Sequence, residues 1–352
     1  MKPLEHPQLC LSGRSHWRVL VEWHRQRSLG AGAKPAVAQE VEGLLCAKNR
    51  KNRLRMIKTL GVRHPTVILR AITPAPLSLN FFDIEWNAMK ALIVYAHPEP
   101  ASFSAALKNT AVETLTRLGY QVVISDLYAM GWNPILSAVD FADRENGEFL
   151  DLSREQEYAF AQGTQSADVL SEQQKVADAD LVLFHFPVWW FSMPAILKGW
   201  CDRVFSRGFG YAAGRKYDSG MFKGKQAMIC LTTGTASTLY EPNGIDGDLL
   251  HVLWPIHNGI LAYTGFTVLP PFSAWMPGRV TAEERSDYLL SYAERLESLD
   301  RAEPLFMHPW SDYDDTQRLK PGVAAKSGVQ WNPSVGQSFV ESADTFSKKQ
   351  VK

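Results

Sequence analysis

The chain has few cysteines, no net charge and no long uninterrupted apolar run. Its 352 residues carry 37 Lys and Arg against 37 Asp and Glu, and the four cysteines show neither close pairing nor CxxC spacing. We therefore expect reduced thiols rather than a disulfide framework. These cysteines are Cys10, Cys46, Cys201 and Cys230. The nearly uncharged run 181–197 is interrupted by two prolines and His185 at the lower length limit for a membrane helix, which excludes stable membrane insertion.

Several motifs of familiar site classes are also missing. The GxG at Gly30 and Gly32 is followed by Pro35 and has no strand before it, so it is not a dinucleotide-binding fingerprint. No P-loop surrounds Lys225, and no serine sits in a GxSxG elbow. His251 and His257 lie six residues apart, which does not place them on one helical face as zinc ligands. Metal-dependent and hydrolytic functions are therefore disfavoured, and we predict no metal site and no nucleic-acid partner.

Basic residues are concentrated in the first quarter of the chain. Residues 1–88 hold 14 Lys and Arg against 6 Asp and Glu and show no clear periodicity. The apolar stretch 17–23 is too short for a secretory signal, and Glu5 and Glu22 argue against a mitochondrial presequence. We predict that 1–88 is a basic extension, disordered or outside the functional unit, that 89–300 forms the main domain, and that 301–352 is a tail packing on that domain or on a dimer partner.

From Met89 onward, apolar strand patterns alternate with amphipathic helix patterns. The predicted strands are 91–96, 121–127, 181–186, 225–232 and 267–269, and the predicted helices are 103–118, 168–177, 195–205, 249–263 and 281–299. This alternation predicts an α/β fold with a doubly wound, five-stranded parallel sheet and helices on both faces.

The stretch 180–207 organises this prediction. A buried strand is stopped by Pro187 and followed by the aromatic loop Val188-Trp189-Trp190-Phe191, after which Ser192 is expected to cap the next helix near Pro194. Ligands of open α/β sheets lie beyond the carboxyl ends of the strands, so a flat ring system has room to stack here. Packing of these aromatic side chains in the core or in a dimer interface is the alternative interpretation.

The loop after the first strand, 97–104, opens a helix whose free N–H groups suit a phosphate or pyrophosphate. Ser102 is predicted as the helix N-cap and Gly119 as the residue just past the helix end. A serine-rich cap is common without any ligand. Its position after the first strand favours a nucleotide site, because three strand ends, near His97, Val188 and Thr233, meet at one edge of such a sheet.

Long ordered segments carry a family resemblance. LIVYAHPEPASF, SDLYAM followed by NPI, FPVWWFSMPAILKGWCDRVF, FGYAAGRKYDSGMF, LTTGTASTLY, GIDGDLLHVLWPIHNGIL and YTGFTVL occur in this order. The chain thereby resembles the NAD(P)H:quinone oxidoreductase (DT-diaphorase) family over about 89–299. The resemblance implies a flavodoxin-like, cytoplasmic homodimer that binds FAD and uses a ping-pong mechanism, with hydride passing from NADH or NADPH to the flavin and then to a quinone-type acceptor.

The resemblance also implies roles for individual residues. His97, Phe103 and Ser104 would hold the phosphates and adenosine side of FAD, and Arg285 would lie near its adenine end. Other residues expected at the isoalloxazine or its polar edge are Val188, Trp189, Trp190, Phe191, Thr232, Thr233, Gly234 and Thr235. Tyr240 would be catalytic near the pyrimidine ring. Tyr211, with Trp190 and Phe191, would contact the substrate. FAD is favoured over FMN because the C-terminal tail fits the FAD-binding members better.

Three positions depart from the family pattern. Asp246 stands where the family's histidine follows the catalytic tyrosine, Ala213 replaces a second substrate-pocket tyrosine, and Trp189 replaces a flavin-loop glutamine. An anionic Asp246 cannot stabilise negative charge on the flavin as an imidazolium does, so it is either protonated, turned away or only a surface turn residue. A regulatory or electron-transfer subunit with little quinone turnover is therefore the alternative to a quinone reductase.

Overall fold

The computed structural model describes residues 88–326 of the chain. The strands are β1 Lys90–Tyr95, β2 Gln121–Asp126, β3 Leu181–Pro187, β4 Gln226–Thr233, β5 Thr267–Val268 and β6 Phe272–Trp275. The helices are α1 Phe103–Arg117, α2 Leu152–Gln162, α3 Ala167–Asp178, α4 Ala195–Val204, α5 Leu249–Val252, α6 Trp254–Ile256, the π-helix His257–Ala262 and α7 Ala282–Glu297. The prediction for 1–88 lies, apart from Ala88, outside the described residues.

All strands join one parallel sheet. The order is β2-β1-β3-β4-β5, and β6 pairs with β4 beyond β5. The fifth strand, predicted to begin at 267–269, is therefore present as two short strands that Pro270 and Pro271 separate. The order is that of a flavodoxin-like doubly wound sheet, so the predicted fold class is confirmed.

Helices cover both faces of the sheet. On one face α1 and α7 enclose a cluster that includes Ile93, Leu107 and Tyr292. On the other face α3 and α4 pack against a cluster that includes Phe184 and Trp200. Residues Leu181–Pro187 are all buried, as expected for a central strand with both faces covered.

Helix α1 begins and ends as its sequence predicts. The Ser102 side chain accepts the N–H of Ala105 at 3.1 Å, and Gly119 follows the helix with φ +90°. The predicted cap at Ser192 is wrong. Helix α4 starts at Ala195 after Pro194, and the Ser192 N–H and C=O both bond to Trp189 instead.

Two further predictions of secondary structure are wrong or incomplete. The helix expected over 249–263 is divided into α5, α6 and the π-helix, because Pro255 has no N–H to continue an α-helix and the chain then widens to i→i+5 bonding. Helix α2 was not predicted. The residues it buries are Glu155, Gln156 and Ala159, so it shows no apolar periodicity.

A buried ion-pair network fixes the segment before α2 to helix α4. Arg203 Nε donates to Asp140 Oδ1 at 2.7 Å, and its Nη1 donates to the Asn133 carbonyl at 3.0 Å and to Asp168 Oδ2 at 2.7 Å. The guanidinium also lies over the Trp132 ring at 4.5 Å. The Asp140 carboxylate therefore depends on Arg203 for its counter-charge inside the protein.

After α7 the chain bonds to β5 and then contacts the loop between α4 and β4. The Leu305 N–H donates to the Val268 carbonyl of β5 at 2.8 Å. The Trp310 ring then stacks on the Tyr217 ring, with centroids 6.2 Å apart. The backbone N–H of Trp310 donates to Asp218 Oδ1 at 3.1 Å. The described part of the tail thus packs on the domain.

Within 88–326, no helix is long and apolar enough to cross a bilayer, and no cluster of three or more His, Cys, Asp or Glu side chains is arranged to hold a metal ion. Cys201 and Cys230 are buried free thiols. Burial raises the pKa of both, to about 12 for Cys201, so neither is a reactive thiolate.

Candidate functional site

The loops after β1, β3 and β4 meet at one edge of the sheet. The His97 ring lies 6.3 Å from the Trp189 ring, which joins the first two loops. The Val188 N–H donates to the Thr232 carbonyl at 2.9 Å, and Ser104 Oγ lies 3.1 Å from Thr232 Oγ1. The predicted convergence of three strand ends is therefore present in the structure.

The start of α1 presents donors that the protein does not use. The N–H groups of Phe103 and Ser104 have no acceptor within 88–326. His97 Nδ1 accepts the N–H of Glu99 at 3.0 Å, so in the neutral ring Nε2 carries the proton and is a further donor. This corner, at the positive end of the helix dipole, is suited to an anionic group.

The aromatic loop is a tight reversal with unusual backbone geometry. The Trp189 N–H donates to the Ser192 carbonyl at 3.0 Å, and the return bond is 3.1 Å. Between them Trp190 and Phe191 have φ values of 50° and 58°, the left-handed region at both central positions of a type I′ turn. Trp190 is 94% exposed. Across the described chain the N–H groups of Trp190 and Phe191 find no acceptor. Strained, exposed backbone of this kind is concentrated at functional sites.

The segment after β4 supplies a third set of backbone donors that lack an acceptor in the described part of the chain. Thr233 Oγ1 donates to the Thr235 carbonyl at 2.7 Å, which folds the chain sharply after the strand. The N–H groups of Gly234 and Thr235 have no acceptor among residues 88–326. A Cβ on Gly234 would meet nothing within 4 Å, so there is open space beside this turn. Thr232 and Thr233 themselves lie inside β4.

Tyr240 and Asp246 are brought together. Tyr240 is buried, and its ring lies 6.4 Å from Phe191. Desolvation by burial raises the pKa of Tyr240; its hydrogen bond to Thr235 opposes the rise, and the charge of Asp246 adds to it. The Asp246 N–H donates to the Leu239 carbonyl at 3.0 Å, which folds this turn back toward Tyr240. The tyrosine is therefore held as a neutral hydroxyl near the edge of the aromatic cluster.

Two aromatic residues at this edge were missed by the sequence analysis. The Trp275 ring lies 5.5 Å from Tyr240 at the end of β6, and Tyr288 donates to the Trp275 carbonyl at 3.2 Å. Tyr288 also contacts Phe103, with ring centroids 6.2 Å apart. The sequence Phe272–Trp275 gives no clear strand signal, because the strand has only four residues, does not alternate and follows two prolines.

The remaining predicted residues, Arg285 and Tyr211, are occupied elsewhere. Arg285 Nη1 donates to the Val280 and Pro277 carbonyls at 2.6 and 3.2 Å, so it holds the loop between β6 and α7. The Tyr211 ring packs 5.7 Å from Tyr263. Both tyrosines line a pocket of about 450 Å³ beside α4 and the π-helix. Among the ring contacts of the described residues, Tyr211 therefore does not join the contact between Phe191 and Tyr240.

The donor set fits a ligand with an anionic group at one end and a flat, polar-edged ring at the other. Among the described residues, the N–H groups without an acceptor at the start of α1 suit a phosphate. Those of the two later loops suit the carbonyls and nitrogens of a ring. Aromatic side chains at the same edge suit a planar ring. A flavin nucleotide has this combination of groups, and the residues present fit it.

Comparisons with known proteins agree with this geometry. The profile of the family described as "Flavodoxin-like fold" matches residues 89–296. Ribosyldihydronicotinamide dehydrogenase [quinone] from Homo sapiens is 42% identical over 217 residues, which cover 61% of this chain and 94% of that protein. NAD(P)H dehydrogenase [quinone] 1 from Rattus norvegicus is 41% identical over 242 residues, covering 68% and 88%.

A solved structure shows the same similarity. A candidate quinone reductase from Klebsiella pneumoniae is 42% identical and superimposes with a TM-score of 0.66. The match covers 70% of this chain and 99% of that one. The similarity thus extends over nearly the whole length of these proteins and over the main domain of this chain.

Proposed function

The chain belongs to the NAD(P)H:quinone oxidoreductase family of flavodoxin-like proteins, and from this premise we propose that it reduces quinones with NAD(P)H through a bound FAD. It is an oxidoreductase. The observation that carries the proposal is a set of six backbone N–H groups around one aromatic edge that have no acceptor among the described residues. They belong to Phe103, Ser104, Trp190, Phe191, Gly234 and Thr235.

The protein's part in the reaction is to bind, orient and exclude water. FAD, when bound, accepts a hydride from NAD(P)H and passes it to the quinone. The N–H groups of Gly234 and Thr235, aligned in advance by the Thr233 hydroxyl, would stabilise negative charge on the polar edge of the ring. Trp190 and Phe191 offer planar surfaces on which nicotinamide and quinone bind in turn, which supports a ping-pong sequence.

Tyr240 would supply a hydroxyl donor beside the ring. Its pKa is raised by burial first and by Asp246 in addition, so it remains protonated at neutral pH and can donate. Asp246 lies close enough to influence that hydroxyl, which favours a role at the site over that of a plain surface turn. As an anion it would hold the tyrosine proton rather than stabilise negative charge on the ring.

The finer assignments are also proposals. FAD is favoured over FMN because the C-terminal tail fits the FAD-binding members of the family better. A homodimer is favoured because the family resemblance implies one, and because Tyr211, expected at the substrate, packs on Tyr263 and not on Phe191 or Tyr240 of its own chain. A cytoplasmic location is favoured by the free thiols Cys201 and Cys230.

The test is the visible spectrum of the purified chain, followed by anaerobic addition of NADH, NADPH or ribosyldihydronicotinamide and then menadione. We expect a flavin spectrum that bleaches with donor and returns with menadione. Acid release of the cofactor and chromatography distinguish FAD from FMN, and light scattering measures the subunit number. A colourless protein that binds neither flavin would refute the proposal. Flavin binding without menadione turnover would favour a regulatory or electron-transfer subunit.

A further inference from the structure

Thr232 connects all three loops of the site. Its carbonyl accepts the Val188 N–H from the loop after β3. Its hydroxyl lies 3.1 Å from the hydroxyl of Ser104 in the first turn of α1. It is itself the residue before Thr233, where β4 ends and the turn with unused N–H groups begins. One side chain therefore links the anion-binding corner to the ring-binding turn.

The hydroxyl pair is buried. Ser104 is 4% and Thr232 is 7% exposed, and each hydroxyl finds its hydrogen-bond partner in the other. A buried hydroxyl without a hydrogen-bond partner destabilises the folded protein, so this pair opposes separation of α1 from β4. The family resemblance implies that Ser104 holds the cofactor phosphates. In the structure its hydroxyl bonds to Thr232, while its backbone N–H has no acceptor within 88–326.

We propose that the Ser104–Thr232 pair is a positioning device that sets the distance between the phosphate-binding and ring-binding halves of the flavin site. This inference rests on the proposed function. The two hydroxyls act through the N–H groups that they align and not as direct ligands. Alignment matters only for a ligand that spans both halves. FAD and FMN span them, whereas lumiflavin, which has the ring without ribityl phosphate, does not.

The experiment measures dissociation constants of FAD, FMN and lumiflavin for the deflavinated full chain and for Ser104→Ala, Thr232→Val and the double variant. Each single change should weaken FAD and FMN binding about fivefold, the effect of one lost buried hydrogen bond. The double variant should bind FAD and FMN no more weakly than either single variant, because each single change already removes the same hydrogen bond. Lumiflavin binding should stay within twofold of the wild type.

Matched variants separate alignment from general damage. Thr232→Ser keeps the hydroxyl and should retain FAD affinity. Thr114→Val removes another buried hydroxyl of α1, distant from the site, and should change no flavin affinity. If Thr232→Val does not fold, as judged by circular dichroism, Thr232→Ala removes the same hydroxyl with less steric change.

Two results would overturn the inference while the proposed function stands. The first is additive loss in the double variant, which would mean that the hydroxyls contact the cofactor independently. The second is equal weakening of lumiflavin, which would mean that the ring half itself is damaged. A wild-type chain that binds no flavin would overturn the proposed function first and this inference with it.

Discussion

Replacing Trp190 by asparagine tests whether the aromatic turn stores backbone strain for the sake of its function. Trp190 and Phe191 both have left-handed φ values, which bulky side chains adopt only under constraint. Asparagine tolerates that region and is favoured at this position of a type I′ turn. We therefore expect Trp190→Asn to stabilise the fold while it removes the surface that we propose for stacking of the acceptor.

The expected change in the free energy of unfolding follows from the exposure of the Trp190 side chain and from its φ value. A non-glycine residue in the left-handed region is disfavoured by about 1–2 kcal/mol. Because Trp190 is 94% exposed, removal of the indole sacrifices little buried area. We expect a net gain of about 1 kcal/mol in the free energy of unfolding, which raises Tm by roughly 2–4 °C for a domain of this size.

The assay combines urea and thermal unfolding of the flavin-free protein with KM for menadione. Ile245→Asn is the matched control, because Ile245 is an equally exposed apolar residue, 90% accessible, whose φ is not left-handed. It should change stability by less than about 0.5 kcal/mol. The menadione KM should rise for Trp190→Asn.

The reasoning would be refuted if Trp190→Asn lowered the unfolding free energy, or if Ile245→Asn raised it by the same amount as Trp190→Asn. The first result would show that the indole contributes packing that outweighs any strain. The second would show that the gain comes from the loss of an exposed apolar side chain alone. An unchanged menadione KM would remove Trp190 from acceptor binding.

Three further predictions concern charged and titratable groups. Asp246→His should raise quinone turnover about tenfold, by providing a donor toward negative charge on the ring; an unchanged or lower rate, with Asp246→Asn as control, would remove Asp246 from the catalytic argument. Arg203→Met should lower the free energy of unfolding in urea by about 3–5 kcal/mol, because it leaves the buried Asp140 carboxylate without its counter-charge. The control Lys198→Met breaks the exposed pair with Asp202 and should lower it by less than about 1 kcal/mol. Burial lowers the pKa of His185 to about 3, with the charge of Lys108 as a second cause, so between pH 6.5 and 3 the unfolded chain binds a proton that the folded chain does not bind. The contribution of His185 to the free energy of unfolding should therefore be fully present above pH 6.5 and decrease as the pH drops toward 3. His185→Gln should reduce this pH dependence, measured as the difference between urea midpoints at pH 7 and pH 5.

The sheet and its two helical layers could be predicted because their signals are local. β1, β3 and β4 are continuous apolar runs, which is what burial on both faces demands. Helix α1 has an N-cap serine at its start and a glycine after its end. Helix α2 could not be predicted by periodicity, because it buries Glu155 and Gln156. The Glu155 carboxylate accepts the N–H of Glu145 in the preceding loop, and the Gln156 amide donates to the Asp202 carbonyl, 46 positions along the chain.

The site was predictable in location but not in conformation. Strand order brings the loops at His97, Val188 and Thr233 together, and that much follows from topology. The left-handed turn at Trp190 and Phe191 could not be inferred, because no propensity favours two aromatic residues there. The hydrogen bond between Ser104 and Thr232 joins residues 128 positions apart in sequence, which only the folded structure brings together.

The tail bond between Leu305 and Val268 affects how this sheet meets other molecules. An outer strand with free N–H and C=O groups is a template for intermolecular pairing and aggregation. On this side the outer position is divided between β5, which is two residues long and has its Val268 carbonyl already engaged, and β6, which is four residues long. The opposite border, β2, spans six residues and leaves Val123 and Ile124 accessible. Misassembly by strand addition is therefore expected to start at β2.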